Sequence, residues 1–178
     1  VMLDQELKEQ LKSVFAHLEN DVELVYELST NAQQQELVDM LKGLSETSPK
    51  IIVRHSNSGL KPNAPEFHIE YKGKHTGIIF RAIPGGHEFS SLILAILNAD
   101  GKGKFPEEII ANRIKRLKKP IHVKTYMSLD CHNCPDVVQT LNQIAILHGD
   151  FTHEIIDGGF HQEEINNLGI QGVPSIVV

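Results

Sequence analysis

Apolar positions set the first half of the chain. Leu3, Leu7, Leu11, Val14, Phe15 and Leu18 recur at helical spacing with acidic and polar residues between them, which predicts an amphipathic helix with a solvated acidic face. Asn20-Asp21 breaks that pattern, and Val22 to Leu28 reads as a strand. Ser29-Thr30-Asn31 is a capping cluster for a second helix, whose buried face is Leu37, Val38, Met40, Leu41 and Leu44 and which Pro49 closes. Ile51 to Val53 is a short buried strand, and Ser56 to Ala64, with Asn57, Gly59, Pro62 and Asn63, is a loop. Pro65 opens a strand through Tyr71, Lys72-Gly73-Lys74 turns it, and Thr76 to Ile83 returns as a hairpin. Pro84-Gly85-Gly86 ends the hairpin, and Phe89, Leu92, Ile93, Ile96 and Leu97 mark a third helix that stops near Asp100-Gly101.

After a hinge at Gly101-Lys102-Gly103 the pattern starts again. Ile109, Ile110, Ile114 and Leu117 predict a helix, and Ile121 to Met127 a strand rich in β-branched and aromatic residues. A helix carrying Val137, Val138, Leu141, Ile144 and Ala145 follows, then a strand from Phe151 to Ile156. Past Gly158-Gly159 come a short helix from about His161 to Leu168, then Gly172-Val173-Pro174 and a strand from Ser175 to Val178. Leu28-Ser29 aligns with Met127-Ser128, and Ala64-Pro65-Glu66-Phe67 with Val173-Pro174-Ser175-Ile176, so the repeat is one of pattern rather than identity. The reading is an α/β chain of two tandem copies, residues 1–102 and 103–178. The second copy stops early, which points to a piece of a longer protein.

Both cysteines of the chain sit in the second copy, in Ser128-Leu129-Asp130-Cys131-His132-Asn133-Cys134-Pro135. The first copy has Thr30 to Gln33 in that place. A strand before the pair and a helix after it put the Cys-x-x-Cys at a helix start. There the unpaired N–H groups and the positive end of the dipole favour a thiolate, and a thiol pKa falls from about 8.5 to roughly 3.5–7.5. A redox dithiol therefore leads. A metal site needs two further ligands, and none of the ten histidines shows a paired His-x-x-x-His spacing. A structural bridge closing so short a loop constrains the unfolded chain little. Cys131, the first cysteine, is the expected nucleophile and Cys134 the resolving thiol. His132, if protonated, favours the Cys131 thiolate. Asp130 reads as a capping residue and His87 as structural.

Composition narrows the class. A net charge of −6 and a pI of about 5.9 argue against a nucleic-acid surface, and no run of about 18 apolar residues predicts a membrane span. Val1-Met2-Leu3-Asp4 lacks the basic-then-apolar order of an export signal, so the expected compartment is the cytoplasm, where cysteine pairs are mostly catalytic.

Strand, Cys-x-x-Cys helix, strand, helix and Val-Pro strand is the order of a thioredoxin fold. In that fold the proline is cis and lies against the disulfide, so Val173 and Pro174 are expected to face a bound partner segment. The stretch Ser128 to Gln139, Ile156-Asp157-Gly158-Gly159, Gly172-Val173-Pro174 and Gly86-His87-Glu88-Phe89-Ser90-Ser91-Leu92 closely resemble the amino-terminal domain of the alkyl hydroperoxide reductase flavoprotein, an NADH:peroxiredoxin reductase. The resemblance implies two thioredoxin-like folds with one working disulfide. It implies electrons arriving from NADH and FAD in a thioredoxin-reductase-like body of the same protein and leaving to a two-cysteine peroxiredoxin. FAD and NADH are expected outside this segment, which contains no Gly-x-Gly-x-x-Gly. The resemblance also places Glu88 across a cleft from the cysteines as an acid–base group; the plainer reading is a carboxylate at a helix start. The alternatives are a general protein disulfide oxidoreductase, against which the cysteine-free first copy argues, and a docking module whose cysteines hold a metal.

Overall fold

The computed structural model describes residues 3–178, so Val1 and Met2 of the N-terminal reading lie outside the described residues. Helix α1 (Gln5–Val14) starts where the Asp4 carboxylate accepts the Leu7 N–H at 2.8 Å. It ends before the predicted Leu18: Phe15 and Leu18 are buried beyond it, whereas Val14 is exposed. Strand β1 is Val22–Tyr26, two residues shorter than read from the pattern. The Ser29 to Asn31 cluster does not cap helix α2 (Gln34–Ser45) directly. It builds two successive turns instead, with the Asn31 N–H donating to Ser29 Oγ and the Gln33 N–H to Asn31 Oδ1. Helix α2 buries Leu37, Val38, Met40, Leu41 and Leu44 as expected, but stops at Ser45 rather than Pro49.

Strands β2 (Ile51–His55), β3 (Phe67–Tyr71) and β4 (Lys74–Arg81) complete the first half's share of the sheet. Lys72 and Gly73 both take positive φ, 51° and 76°, the two-residue hairpin turn whose twist suits the flanking strands. A 3₁₀ turn, Gly86–Glu88, leads into helix α3 (Phe89–Ala99). The Gly101-Lys102-Gly103 link is fastened to the end of α3: the Lys102 N–H donates to Leu97 O and the Lys104 N–H to Asn98 Oδ1.

Helix α4 (Glu108–Arg116) departs from its reading. Ile109, Ile110 and Leu117, expected on the buried face, are exposed, and Ala111 is the buried residue. The helix meets its neighbour through a small side chain, which leaves the long apolar ones outside. Strand β5 (Ile121–Met127), helix α5 (Cys134–His148), strand β6 (Phe151–Asp157), helix α6 (Gln162–Leu168) and strand β7 (Ser175–Val177) follow the predicted order.

The described strands form one seven-stranded sheet in the order β2-β1-β3-β4-β6-β5-β7. In each half the first strand lies between a parallel partner reached through a helix and an antiparallel partner: β1 between β2 and β3, β5 between β6 and β7. The halves are joined by the parallel pair β4–β6, from Ile78↔His153 to Arg81↔Ile156. Gly77, at φ 90°, sits where a Cβ would collide with the Phe151 carbonyl oxygen, so only glycine lets these strands close. One buried cluster runs through both halves, from Phe15 and Leu41 to Val138 and Ile155.

A candidate dithiol site

Helix α5 positions both sulfurs. Its first residue is Cys134, fully buried, and Pro135 is next, within the first turn where a missing N–H is tolerated. Cys131 lies in the turn just before, half-exposed, and is joined to Cys134 by a disulfide with Cα atoms 5.5 Å apart. The Cys134 N–H donates to Cys131 Sγ at 3.2 Å. That donor would equally stabilise a Cys131 thiolate, so the helix start acts on the exposed sulfur. The Val173 carbonyl oxygen lies 3.9 Å from Cys131 Sγ, and the Val173–Pro174 peptide is cis, as the thioredoxin pattern requires.

The first half reaches this site through the turn at residues 86–88. The His87 N–H donates to the Leu129 carbonyl at 2.9 Å, and the His87 and His132 rings lie 4.4 Å apart beside the cysteines. Gly86 has φ 53°, and a Cβ there would stand 2.7 Å from Leu129 O, so glycine permits the approach. His87, read from the sequence as structural, holds Leu129 through its backbone N–H and lays its ring against that of His132.

Glu88 is fully buried. It precedes the first residue of α3, yet its side chain caps no N–H. Ser91 Oγ donates to Glu88 Oε1 at 2.6 Å, while Oε2 has no partner. Burial pushes the Glu88 carboxyl above the usual range, and the Ser91 hydroxyl offsets part of that. Gln139 on α5 donates to Ser91 at 3.1 Å, so Glu88 is linked to the helix that carries the cysteines. Asp130 does not cap α5: its Oδ1 accepts the Ser128 hydroxyl at 2.8 Å, which with a backbone N–H holds its carboxyl below the ordinary range. Asp157, at the end of β6 beside Met127, is buried and its carboxyl is pushed up by that burial, with the Gly159 N–H opposing.

Beneath α5 lies a polar triad absent from the sequence reading. His153 is fully buried, with Nδ1 2.8 Å from Asn142 Oδ1 and Nε2 2.7 Å from Thr125 Oγ1. Since the amide oxygen accepts, Nδ1 carries the proton and Nε2 accepts the Thr125 hydroxyl. Burial pushes His153 down to about 3. Among the described residues no group of three or more His, Cys, Asp or Glu side chains is arranged to hold a metal ion. No described helix is long and apolar enough to cross a membrane.

No protein-family model matches the chain. The alkyl hydroperoxide reductase AhpF of Staphylococcus aureus (strain NCTC 8325 / PS 47) is 39% identical over 175 residues, 98% of this chain. The chain is similar to AhpF over nearly its whole length. It spans 34% of the length of that relative. The crystal structure of the NTD_N/C domain of AhpF from Enterococcus faecalis (V583) superposes with a TM-score of 0.88 at 28% identity, covering 98% of this chain and 89% of that one. A protein disulfide oxidoreductase from Aeropyrum pernix superposes with a TM-score of 0.81 at 20% identity, covering 99% and 84%; at that identity the likeness shows the fold alone. The fold is thus mixed α/β and thioredoxin-like, and the resemblance read from the cysteine motif and Gly86 to Leu92 holds along the chain.

Proposed function

We propose that this chain is the disulfide-carrying module of an alkyl hydroperoxide reductase of the AhpF type. It takes electrons from a flavoprotein body of the same protein and passes them to the disulfide of a two-cysteine peroxiredoxin. The observation that carries the reading is the half-exposed Cys131 sulfur, disulfide-bonded to the buried Cys134 and facing the Val173 carbonyl. The similarity to AhpF along 98% of the chain supports the choice of partner. The matching connectivity of β1 to β3 and β5 to β7 supports two thioredoxin-like units, 1–102 and 103–178, sharing one sheet. The proposed compartment is the cytoplasm.

In the reduced state the Cys131 thiolate attacks one sulfur of the partner disulfide. A mixed disulfide forms, and the partner's other sulfur leaves as a thiolate and takes a proton. Cys134 then loses its proton and attacks Cys131 Sγ, which re-forms the intramolecular bond and releases the partner as a dithiol. Two electrons have passed to the partner, whose two sulfurs leave as thiolates and take their protons from water; water holds the proton that Cys131 gave up before the attack and finally receives the one that Cys134 releases. Glu88, buried and linked to α5 through Ser91 and Gln139, is the proposed acceptor of the Cys134 proton. Val173 and Pro174 present the edge on which the partner segment lies, and His132, next to Cys131 in the chain, is the proposed cation beside the sulfur, with the His87 ring against its own. This chain carries no dinucleotide fingerprint, so FAD and NADH are assigned to the rest of the protein and no step here runs through them.

The test is rapid mixing of the reduced chain with an oxidised two-cysteine peroxiredoxin, followed by mass spectrometry. Saturable loss of two hydrogens from Cys131 and Cys134, with Cys134→Ser trapping an adduct on Cys131, supports the reading. Reduction of a small aromatic disulfide without transfer to the peroxiredoxin would make the chain a general disulfide oxidoreductase.

A further inference from the structure

Helix α6 is attached in an unusual way. None of its residues is fully buried; Ile165, half-buried against Gly158, gives it an apolar contact, and a polar cluster supplies the rest. Strand alternation assigns the faces: His153 points to α5, where Asn142 meets it, while Arg81, Tyr126 and Glu154 point to the other face, under α6. There the Arg81 guanidinium grips the Glu164 carboxylate with both arms, at 2.8 and 3.1 Å. Tyr126 donates its hydroxyl to the same carboxylate. Glu154 and Glu66 complete the surround of Arg81 at 3.4 and 4.0 Å. Arg81 also donates to His161 Nδ1 at 3.2 Å; since a guanidinium cannot accept, His161 is neutral there with its proton on Nε2. The cleft beside this cluster, about 640 Å³, has Pro62 and Asn63 of the first half on its wall.

The segment after α6 is the part that meets the sulfur. Gly169 ends the helix in the left-handed conformation, the Ile170 N–H returns to Ile165 O, and Val173 comes four residues after Gly169. On its far side the loop is anchored by β7, whose Ser175 pairs with Tyr126, the residue that also holds Glu164. Both ends of the loop therefore depend on one cluster, and the central cation of that cluster comes from β4, in the cysteine-free half.

We infer that Glu164, gripped by Arg81 and Tyr126, is a positioning residue that sets the Val173–Pro174 loop at the distance from Cys131 at which a protein disulfide docks. The inference rests on the dithiol-exchange reading above and gives the first half a direct part in it: Arg81 fixes the docking edge that the second half presents. A small disulfide that needs no backbone edge would not sense the clamp.

The experiment measures reduction rates of Glu164→Ala, Glu164→Gln and Arg81→Lys in the full chain against oxidised peroxiredoxin, insulin and a small aromatic disulfide. Glu164→Ala should raise the half-saturating concentration of both protein substrates about tenfold, the order expected of a slight misplacement remote from the chemistry, with the maximal rate and the small-disulfide rate within about twofold. Glu164→Gln keeps one acceptor for Arg81 but sets an amide N–H2 against donors on the other side, so it should fall between the wild type and Glu164→Ala. Arg81→Lys keeps the charge without the fork and should follow Glu164→Ala. Equal losses on protein and small disulfides, or a wild-type Arg81→Lys, would overturn the inference. If the wild type reduces insulin but not the peroxiredoxin, the partner reading fails while the insulin data still decide the clamp.

Discussion

The starts of α2 and α5 are the same structural place in two halves of one sheet, and they have been finished differently. In the first half an oxygen does the work: Asn31 Oδ1 accepts the Gln33 N–H at 2.8 Å. The loop after β2 is then pulled over that helix start, with Ser29 Oγ donating to Pro62 O and Asn31 Nδ2 to Asn63 O. In the second half a sulfur takes the equivalent place, Cys131 Sγ accepting the Cys134 N–H. Its facing loop leaves Cys131 half-exposed and offers the Val173 carbonyl to it. The contrast is an oxygen acceptor under a covering loop in one half and a sulfur acceptor beside an open loop in the other; on the proposed function only the second can exchange with a partner disulfide. The closed half has another use: it lends Leu129 the His87 N–H and lends α6 the Arg81 clamp.

The cores beneath the two helices differ as well. Under α2 the buried residues are Leu37, Met40, Leu41 and Leu44, whereas under α5 a histidine, an asparagine and a threonine make a hydrogen-bonded triad. Three measurements sharpen the contrast. The largest effect is expected from Phe67→Ala, which removes a buried ring stacked 5.1 Å from Phe80 and should cost about 3–5 kcal/mol. Because β4 of the first half pairs with β6 of the second, far-ultraviolet ellipticity and a probe at the cysteines should melt together and shift by the same amount. Two separate transitions would show that the shared sheet does not couple the halves.

Next is Glu88→Gln. Its carboxyl is raised by burial, so the unfolded chain releases the proton first and stability falls as pH climbs from the unfolded pKa, about 4.3, through the folded one. The amide should therefore stabilise the chain at pH 7–8 and leave it unchanged near pH 4. If Glu88 takes the Cys134 proton, the same variant slows resolution of the mixed disulfide about 100-fold, the low end of general-base effects. A stabilised protein with unaltered resolution kinetics would leave Glu88 a role in packing only.

The smallest effect, taken per pH unit, is read from His153. With its folded pKa pushed down to about 3, the unfolded state binds a proton that the native state refuses below pH 6.5, so stability drops as the solution is acidified. The slope from this group is about 1.4 kcal/mol per pH unit. Denaturation midpoints at pH 7, 5.5 and 4 should show His153→Gln with a flatter acid slope than the wild type by that amount. Parallel slopes would mean the imidazole is protonated in the folded state after all.

Much of this was legible in the chain. Periodicity found the order of the helices and strands, because a helix or a strand with one buried face must repeat its apolar residues at its own period. The Cys-x-x-Cys between a β-rich run and a helical one located the turn that carries the disulfide, since the pair had to fall where the strand pattern gives way to the helical one. Glycine at positions 77 and 86 marks close approaches only once the Phe151 and Leu129 carbonyls are in place. Ends of elements were read less well: α1 and α2 stop earlier because caps and turns, not periodicity, decide where a helix gives out. The exposed Ile109 and Ile110 of α4 were misread because an apolar stripe shows only what a helix could bury, and the size of the neighbouring surface decides how much it does.

What the sequence determined by itself is local: the order of helices and strands, a Cys-x-x-Cys between a strand and a helix, and a proline opening the strand that faces it. Tertiary structure alone decided which distant residues serve that site. Arg81 meets Glu164 across 83 positions, and His87 meets His132 across 45. Such pairs carry no periodic signature. They exist because the β4–β6 ladder lays one half's edge strand beside the other's, and the side chains on its two faces then find whatever the opposite half presents.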